Sequence, residues 1–112
     1  MTKTKDQRDF PPLSPGSVLQ ERIVSRLGIS QADLAKALGV SRFTVNQVLG
    51  GRRGLTAEMA LRLGHVLDTS PELWLKLQAQ VDLFEARRVK GAEIAKLPKL
   101  RKADPEERSA AE

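Results

Sequence analysis

A single glycine, Gly39, stands between two short amphipathic segments, each opened by a serine (Ser30 and Ser41), with Gly50-Gly51 closing the second. Serine in that place accepts a hydrogen bond from a backbone N–H of the first helical turn, so Ser30 and Ser41 read as helix caps. Asp33 is placed for a box-like cap in the first turn of the earlier segment. Gly39 supplies the left-handed backbone that a tight turn between two helices needs. Ala35 is small where two crossing helices would touch. Leu34, Leu38, Val40, Val45 and Val48 fall where such a pair must bury apolar side chains. Together these positions spell a helix-turn-helix.

The flanking sequence reads as three more helices. Ser14 and Pro15 open the first, whose apolar residues Val18, Leu19, Ile23 and Leu27 follow helical spacing until Gly28. Thr56 opens the fourth, with Met59, Ala60, Leu63, Val66 and Leu67 on one face. Ser70-Pro71-Glu72 opens the fifth, expected to reach about Lys90 and stop before Gly91. No strand-type alternation persists, so the fold class is all-α, a five-helix bundle with flexible tails. The expected organisation is a flexible arm over 1–12, a helix-turn-helix DNA-binding and dimerisation domain over 13–90, and an extension over 91–112 whose end, from Lys102, reads as frayed. At 112 residues there is room for one domain.

Helix three carries the candidate chemistry. At 100° per residue, Val45, Val48 and Leu49 point one way; Arg42, Phe43, Asn46 and Gln47 point the other, with Thr44 at the flank. Arg42, Phe43, Thr44, Asn46 and Gln47 are the expected base readers, because such side chains match the donors, acceptors and thymine methyls of the major groove. Phe43 would meet either a thymine methyl or the stem of Arg42. Arg52 and Arg53, on the glycine-rich turn that follows, suit phosphate contacts, as do Ser30, Gln31 and Ser41 at the helix starts. The alternative is an ordinary solvated face and loop. The balance of 19 Lys+Arg against 14 Asp+Glu, net +5, also leans toward a polyanionic partner.

Pro15-Gly16 ahead of Val18-Leu19, followed by the run from Leu27 to Leu83, resembles the HigA-type antitoxins of the XRE group of phage-repressor-like helix-turn-helix proteins. The likeness covers about Pro12 to Phe84. Thr69-Ser70-Pro71-Glu72-Leu73-Trp74-Leu75 with Leu77-Gln78 is its subgroup signature. The resemblance implies a dimer that binds double-stranded operator DNA, represses its own operon, and holds inactive a HigB-type partner toxin, usually a ribosome-dependent mRNA endonuclease. Phe43 stands where that family often has Gln, and Gly50 where Asn is common; both bear on the operator sequence rather than on the fold.

Other chemistry finds little support. Cysteine is absent and histidine occurs once, which excludes a thiol nucleophile, a disulfide framework and an HExxH pair. No catalytic residue, metal or cofactor is expected. His65 reads as solvated, and Trp74 as core with Leu73, Leu77, Val81 and Phe84. No apolar run suits a membrane span, so the expected location is the cytoplasm. Leu75, Ala79, Leu83 and Ala86 form a second apolar stripe on helix five, expected to meet the same helix of a second subunit. The rival reading packs it against Ile94, Leu97 and Leu100. A symmetric dimer would span two half-sites of an inverted repeat, ~34–36 Å apart. A stand-alone XRE-type repressor is the alternative function, and a protein-interaction module the third. The toxin would meet an end of the chain.

Overall fold

The computed structural model describes residues 11–109. Its helices are α1 (Pro15–Leu19), which runs on into a π-helical stretch (Gln20–Ser25), α2 (Gln31–Leu38), α3 (Arg42–Leu49), α4 (Ala57–Leu67), α5 (Pro71–Ile94) and α6 (Pro105–Ser109). Apart from Pro11 and Pro12, the expected N-terminal arm lies outside the described residues, as does the end of the chain from Ala110.

Four of these helices start as their sequences dictate. The hydroxyls of Ser14, Ser30, Ser41 and Thr56 accept from the amides of Ser17, Asp33, Thr44 and Met59 at 3.0–3.2 Å. Each cap is worth about 0.5–2 kcal/mol. Ser70 behaves differently: its hydroxyl donates to the Glu72 carboxylate at 2.7 Å, and Pro71 at the first helical position starts α5. Gly39 adopts φ 72° as the turn requires.

Caps alone do not hold eight-residue helices in water. Packing does. Leu19, Leu34, Ala35, Leu38, Val45, Val48, Leu55, Ala60, Leu63 and Trp74 form one buried cluster. The pairs α2 with α3 and α4 with α5 make the main contacts, and α1 reaches both α3 and α5. Trp74 keeps its indole N–H paired inside this core by donating to Thr69 Oγ1 at 2.7 Å.

Four expectations are corrected. Leu27 is 60% exposed: the π-helical stretch widens the turn to i→i+5, so the residues beyond it leave the apolar stripe. Leu73 is also exposed, because Trp74 takes the inward position beside it. Helix α5 passes through Gly91 to Ile94, since glycine there keeps a helical backbone and Lys90 pairs with Glu93 at 3.4 Å. The segment read as frayed holds α6: Arg101 grips both carboxylate oxygens of Glu107 at 3.1 and 2.6 Å, which holds that carboxyl below its usual pKa. Ile94, Leu97 and Leu100 stay exposed and do not cover the outer stripe of α5.

The backbone of α1 meets the end of α3 at Gly16. A Cβ there would lie 2.7 Å from the Leu49 carbonyl oxygen and nearer still to that of Val48. Gly16→Ala should therefore cost about 1–3 kcal/mol in urea unfolding, the range for overpacking. Gly91→Ala, where the nearest atom would be 3.8 Å away, should instead stabilise by roughly 0.5–1 kcal/mol. Equal effects at the two positions would remove the close approach from the folding of this chain.

Candidate nucleic-acid interface

Helix α3 is set by contacts on three sides. At its start, Ser41 accepts from the Thr44 amide, and the Ser41 and Thr44 hydroxyls are hydrogen-bonded to each other at 2.9 Å. At its end, Gly16 of α1 presses on the last carbonyls. Beneath it, Val45 and Val48 are buried against the core, and Leu49 is half-buried.

Its outer face carries what the helical angle assigns to it, except that Gln47 joins Thr44 at the flank. Arg42, Phe43 and Asn46 are exposed, while Gln47 and Thr44 are half-buried at the edges. Phe43 is 65% exposed, so its ring takes no part in the core. An exposed aromatic among polar side chains is a poor surface for water and a good one for a methyl group.

The proposed phosphate ligands divide. The hydroxyls of Ser30 and Ser41 already cap the Asp33 and Thr44 amides, which leaves the amides of Gln31 and Ala32, and of Arg42 and Phe43, at the positive ends of the two helices. Gln31, at the start of α2, accepts from Asn46 Nδ2 through Oε1 at 3.3 Å. Arg52 folds back toward α3 and donates from Nη1 to Asn46 Oδ1 at 3.4 Å. Arg53 is exposed, and its guanidinium has no hydrogen-bond partner among the described residues.

Two positioning residues had no role assigned from sequence. Arg62 of α4 donates from Nη1 to the Leu38 carbonyl oxygen at 2.8 Å and pairs with Glu58 at 3.5 Å, which ties the last turn of α2 to α4. Gln78 of α5 accepts from the Leu55 amide at 3.0 Å and so anchors the loop that carries Arg52 and Arg53. Neither contact joins residues near in sequence, and their polar side chains gave no periodic signal. His65 is exposed, as expected. Among the described residues, no helix is long and apolar enough to cross a membrane.

The fold and this outward face define a helix-turn-helix protein. Residues 19–74 match the family described as helix-turn-helix. An uncharacterized HTH-type transcriptional regulator of Haemophilus influenzae is 40% identical over 74 residues, 66% of this chain and 69% of that protein. Antitoxin HigA-1 of Vibrio cholerae is 39% identical over 87 residues, 78% of each chain. The solved structure of antitoxin GraA in complex with its operator superposes with a TM-score of 0.77 at 42% identity, over 89% of this chain and 100% of that one. The chain belongs to the XRE-type helix-turn-helix family, among the HigA-type antitoxins. That family consists of DNA-binding regulators, not enzymes.

The exposure of Phe43 yields a test. Phe43→Ala should leave the melting temperature nearly unchanged and cost roughly 1–3 kcal/mol of DNA discrimination at one A·T pair. Replacing that thymine by uracil should weaken binding by the wild type but not by the variant. Equal sensitivity of both proteins would exclude a methyl contact.

Proposed function

We propose that this protein is the antitoxin of a type II toxin–antitoxin pair, and that in the cytoplasm it represses its own operon as a dimer on operator DNA. The observation that carries the DNA half of this reading is the exposed face of α3. Arg42, Phe43 and Asn46 stand outward, with Thr44 and Gln47 at the edges, on a helix fixed at its start, its end and its underside. Arg42 and Asn46 would hydrogen-bond base edges in the major groove, Phe43 would cover a thymine methyl, and Thr44 and Gln47 would read from the flanks. The amide-rich starts of α2 and α3, at Ser30, Gln31 and Ser41, would hold phosphates, with the charges of Arg52 and Arg53 beside them. The likeness to an operator-bound antitoxin over most of the chain supports the same assignment.

A second copy would cover α5. Leu75, Ala79, Leu83 and Ala86 are all exposed, and no described segment packs over them. One α3 offers few base contacts, whereas two related by a dyad would read an inverted repeat with half-sites ~34–36 Å apart. Leu83→Asp would place a charge in that seam and should yield monomers with much weaker DNA binding. Sedimentation showing an unchanged dimer would take α5 out of the interface.

The toxin half rests on the family and on the ends of the chain. Ile94, Leu97 and Leu100 are exposed beside Lys96, Lys99, Arg101 and Lys102, outside the helix-turn-helix. This segment offers apolar contact to a HigB-type mRNA-endonuclease toxin without involving the reading face. Co-expression with the adjacent gene's product should restore growth, and Arg42→Ala should not abolish the rescue. Rescue that vanished with Arg42 would contradict the separation of the two faces. The similarity to a transcriptional regulator of Haemophilus influenzae favours one other reading, a stand-alone repressor. A tagged chain that carries no second small protein from its own host would support that reading instead.

A further inference from the structure

Three polar side chains from three parts of the chain are joined in a line across the reading face. Asn46 Nδ2 donates to Gln31 Oε1 at 3.3 Å, and Arg52 Nη1 donates to Asn46 Oδ1 at 3.4 Å. Local backbone brings Arg52 there. Gly51, at φ 72°, reverses the chain past α3, and the amides of Arg52 and Arg53 both donate to the Gln47 carbonyl oxygen, at 2.9 and 3.3 Å. Gly50 supplies the room. A Cβ at that position would lie 3.2 Å from Arg52 Nη1. Gly50 itself has φ −82°, a value any residue adopts, so its missing side chain serves space rather than conformation.

The chemistry of an amide gives this line a consequence. A half-turn about χ2 exchanges the oxygen and nitrogen of Asn46. In one orientation the side chain accepts from N6 of adenine and donates to N7; in the other its N–H groups can meet the acceptors O6 and N7 of guanine. A guanidinium has five donors and no acceptor, so Arg52 can face only Oδ1. That leaves Nδ2 toward Gln31, with one N–H and one lone pair of Asn46 unspent, the complement of the adenine edge.

We propose that Arg52 is a positioning residue for base reading: through Asn46 it sets which way the amide faces the groove, and so favours adenine over guanine at the base pair Asn46 meets. This rests on the operator-binding reading above and adds to it a specificity role for a residue outside the reading helix. Gly50 is part of the same device, because it admits the guanidinium.

The probe is a pool of randomised DNA duplexes of operator length, selected with the full chain and scored base by base. Wild type, Asn46→Ala, Arg52→Ala, Gly50→Ala and Arg53→Ala are compared, each after a thermal melt. The wild type should enrich a motif with an adenine position that Asn46→Ala erases. Arg52→Ala and Gly50→Ala should each lower the adenine-over-guanine preference at that position by about tenfold and leave the other positions alone. Gly50→Ala should do so with the salt dependence of binding unchanged, since every charge is still present. Arg53→Ala should weaken all sequences alike, with the slope of log K against log salt smaller by about 0.9. The proposal is overturned if Arg52→Ala merely repeats the Arg53→Ala pattern, or if Gly50→Ala keeps the full adenine preference. A wild-type chain that enriches no motif would remove the operator reading itself, and this proposal with it.

Discussion

Helix α3, which we propose reads DNA, is held in place by a contact of backbone on backbone. At Gly16 the backbone of α1 lies directly on the terminal carbonyls of α3, so close that one methyl group would force the two helices apart. A helix of eight residues has little stability of its own and no means of fixing its direction. Its direction comes from this approach, from Val45 and Val48 buried beneath it, and from the Ser41 cap. Protein interiors transmit such strain because they are close-packed. A shift of α1 would therefore be felt at the exposed side chains of α3, although α1 presents none of them.

The remaining helices secure the same unit from behind. Arg62 ties the last carbonyl of α2 to α4, and Gln78 ties the loop after α3 to α5. Both contacts use a long polar side chain to satisfy a main-chain group that has no intrahelical partner, the Leu38 carbonyl at the end of α2 and the Leu55 amide in the loop before α4. The inner residues of α5 close the core through Trp74, while its distal half stands clear of it. This explains a radius of gyration of 17.4 Å, against roughly 13 Å for a compact domain of 100 residues. The result is one face built for rigidity, on α3, and another left uncovered, on α5.

Much of this was legible in the sequence because it is written locally. Serine and threonine caps, the left-handed Gly39 and the apolar stripes of α2, α3 and α4 each follow from residues a few positions apart. The exposure of Arg42, Phe43 and Asn46 followed from helical angle alone, whereas Gln47 lies half-buried at the edge. What escaped the sequence depends on distant neighbours or on irregular backbone. The roles of Arg62 and Gln78 join residues 24 and 23 positions apart. Leu27 was misplaced because a π-helical stretch breaks the 3.6-residue period on which the stripe was counted. Gly91 looked like a stop, yet glycine inside a helix is only a cost of about 1 kcal/mol, which neighbouring residues offset. The sixth helix was signalled: Asp104-Pro105-Glu106-Glu107 repeats the opening pattern of Ser70-Pro71-Glu72, but in a segment with no apolar stripe to support it.

The central claim is that a preset α3 reads DNA sequence, rather than lending charge to any polyanion. It is tested most directly by the affinity of the full chain for the DNA upstream of its own gene and for a scrambled duplex of equal length, both titrated at physiological salt. A sequence-reading dimer should prefer its own site by about 10³-fold or more and saturate at two chains per inverted repeat. Equal affinity for the two duplexes, lost in parallel as salt rises, would mean that the exposed face of α3 is only a charged surface.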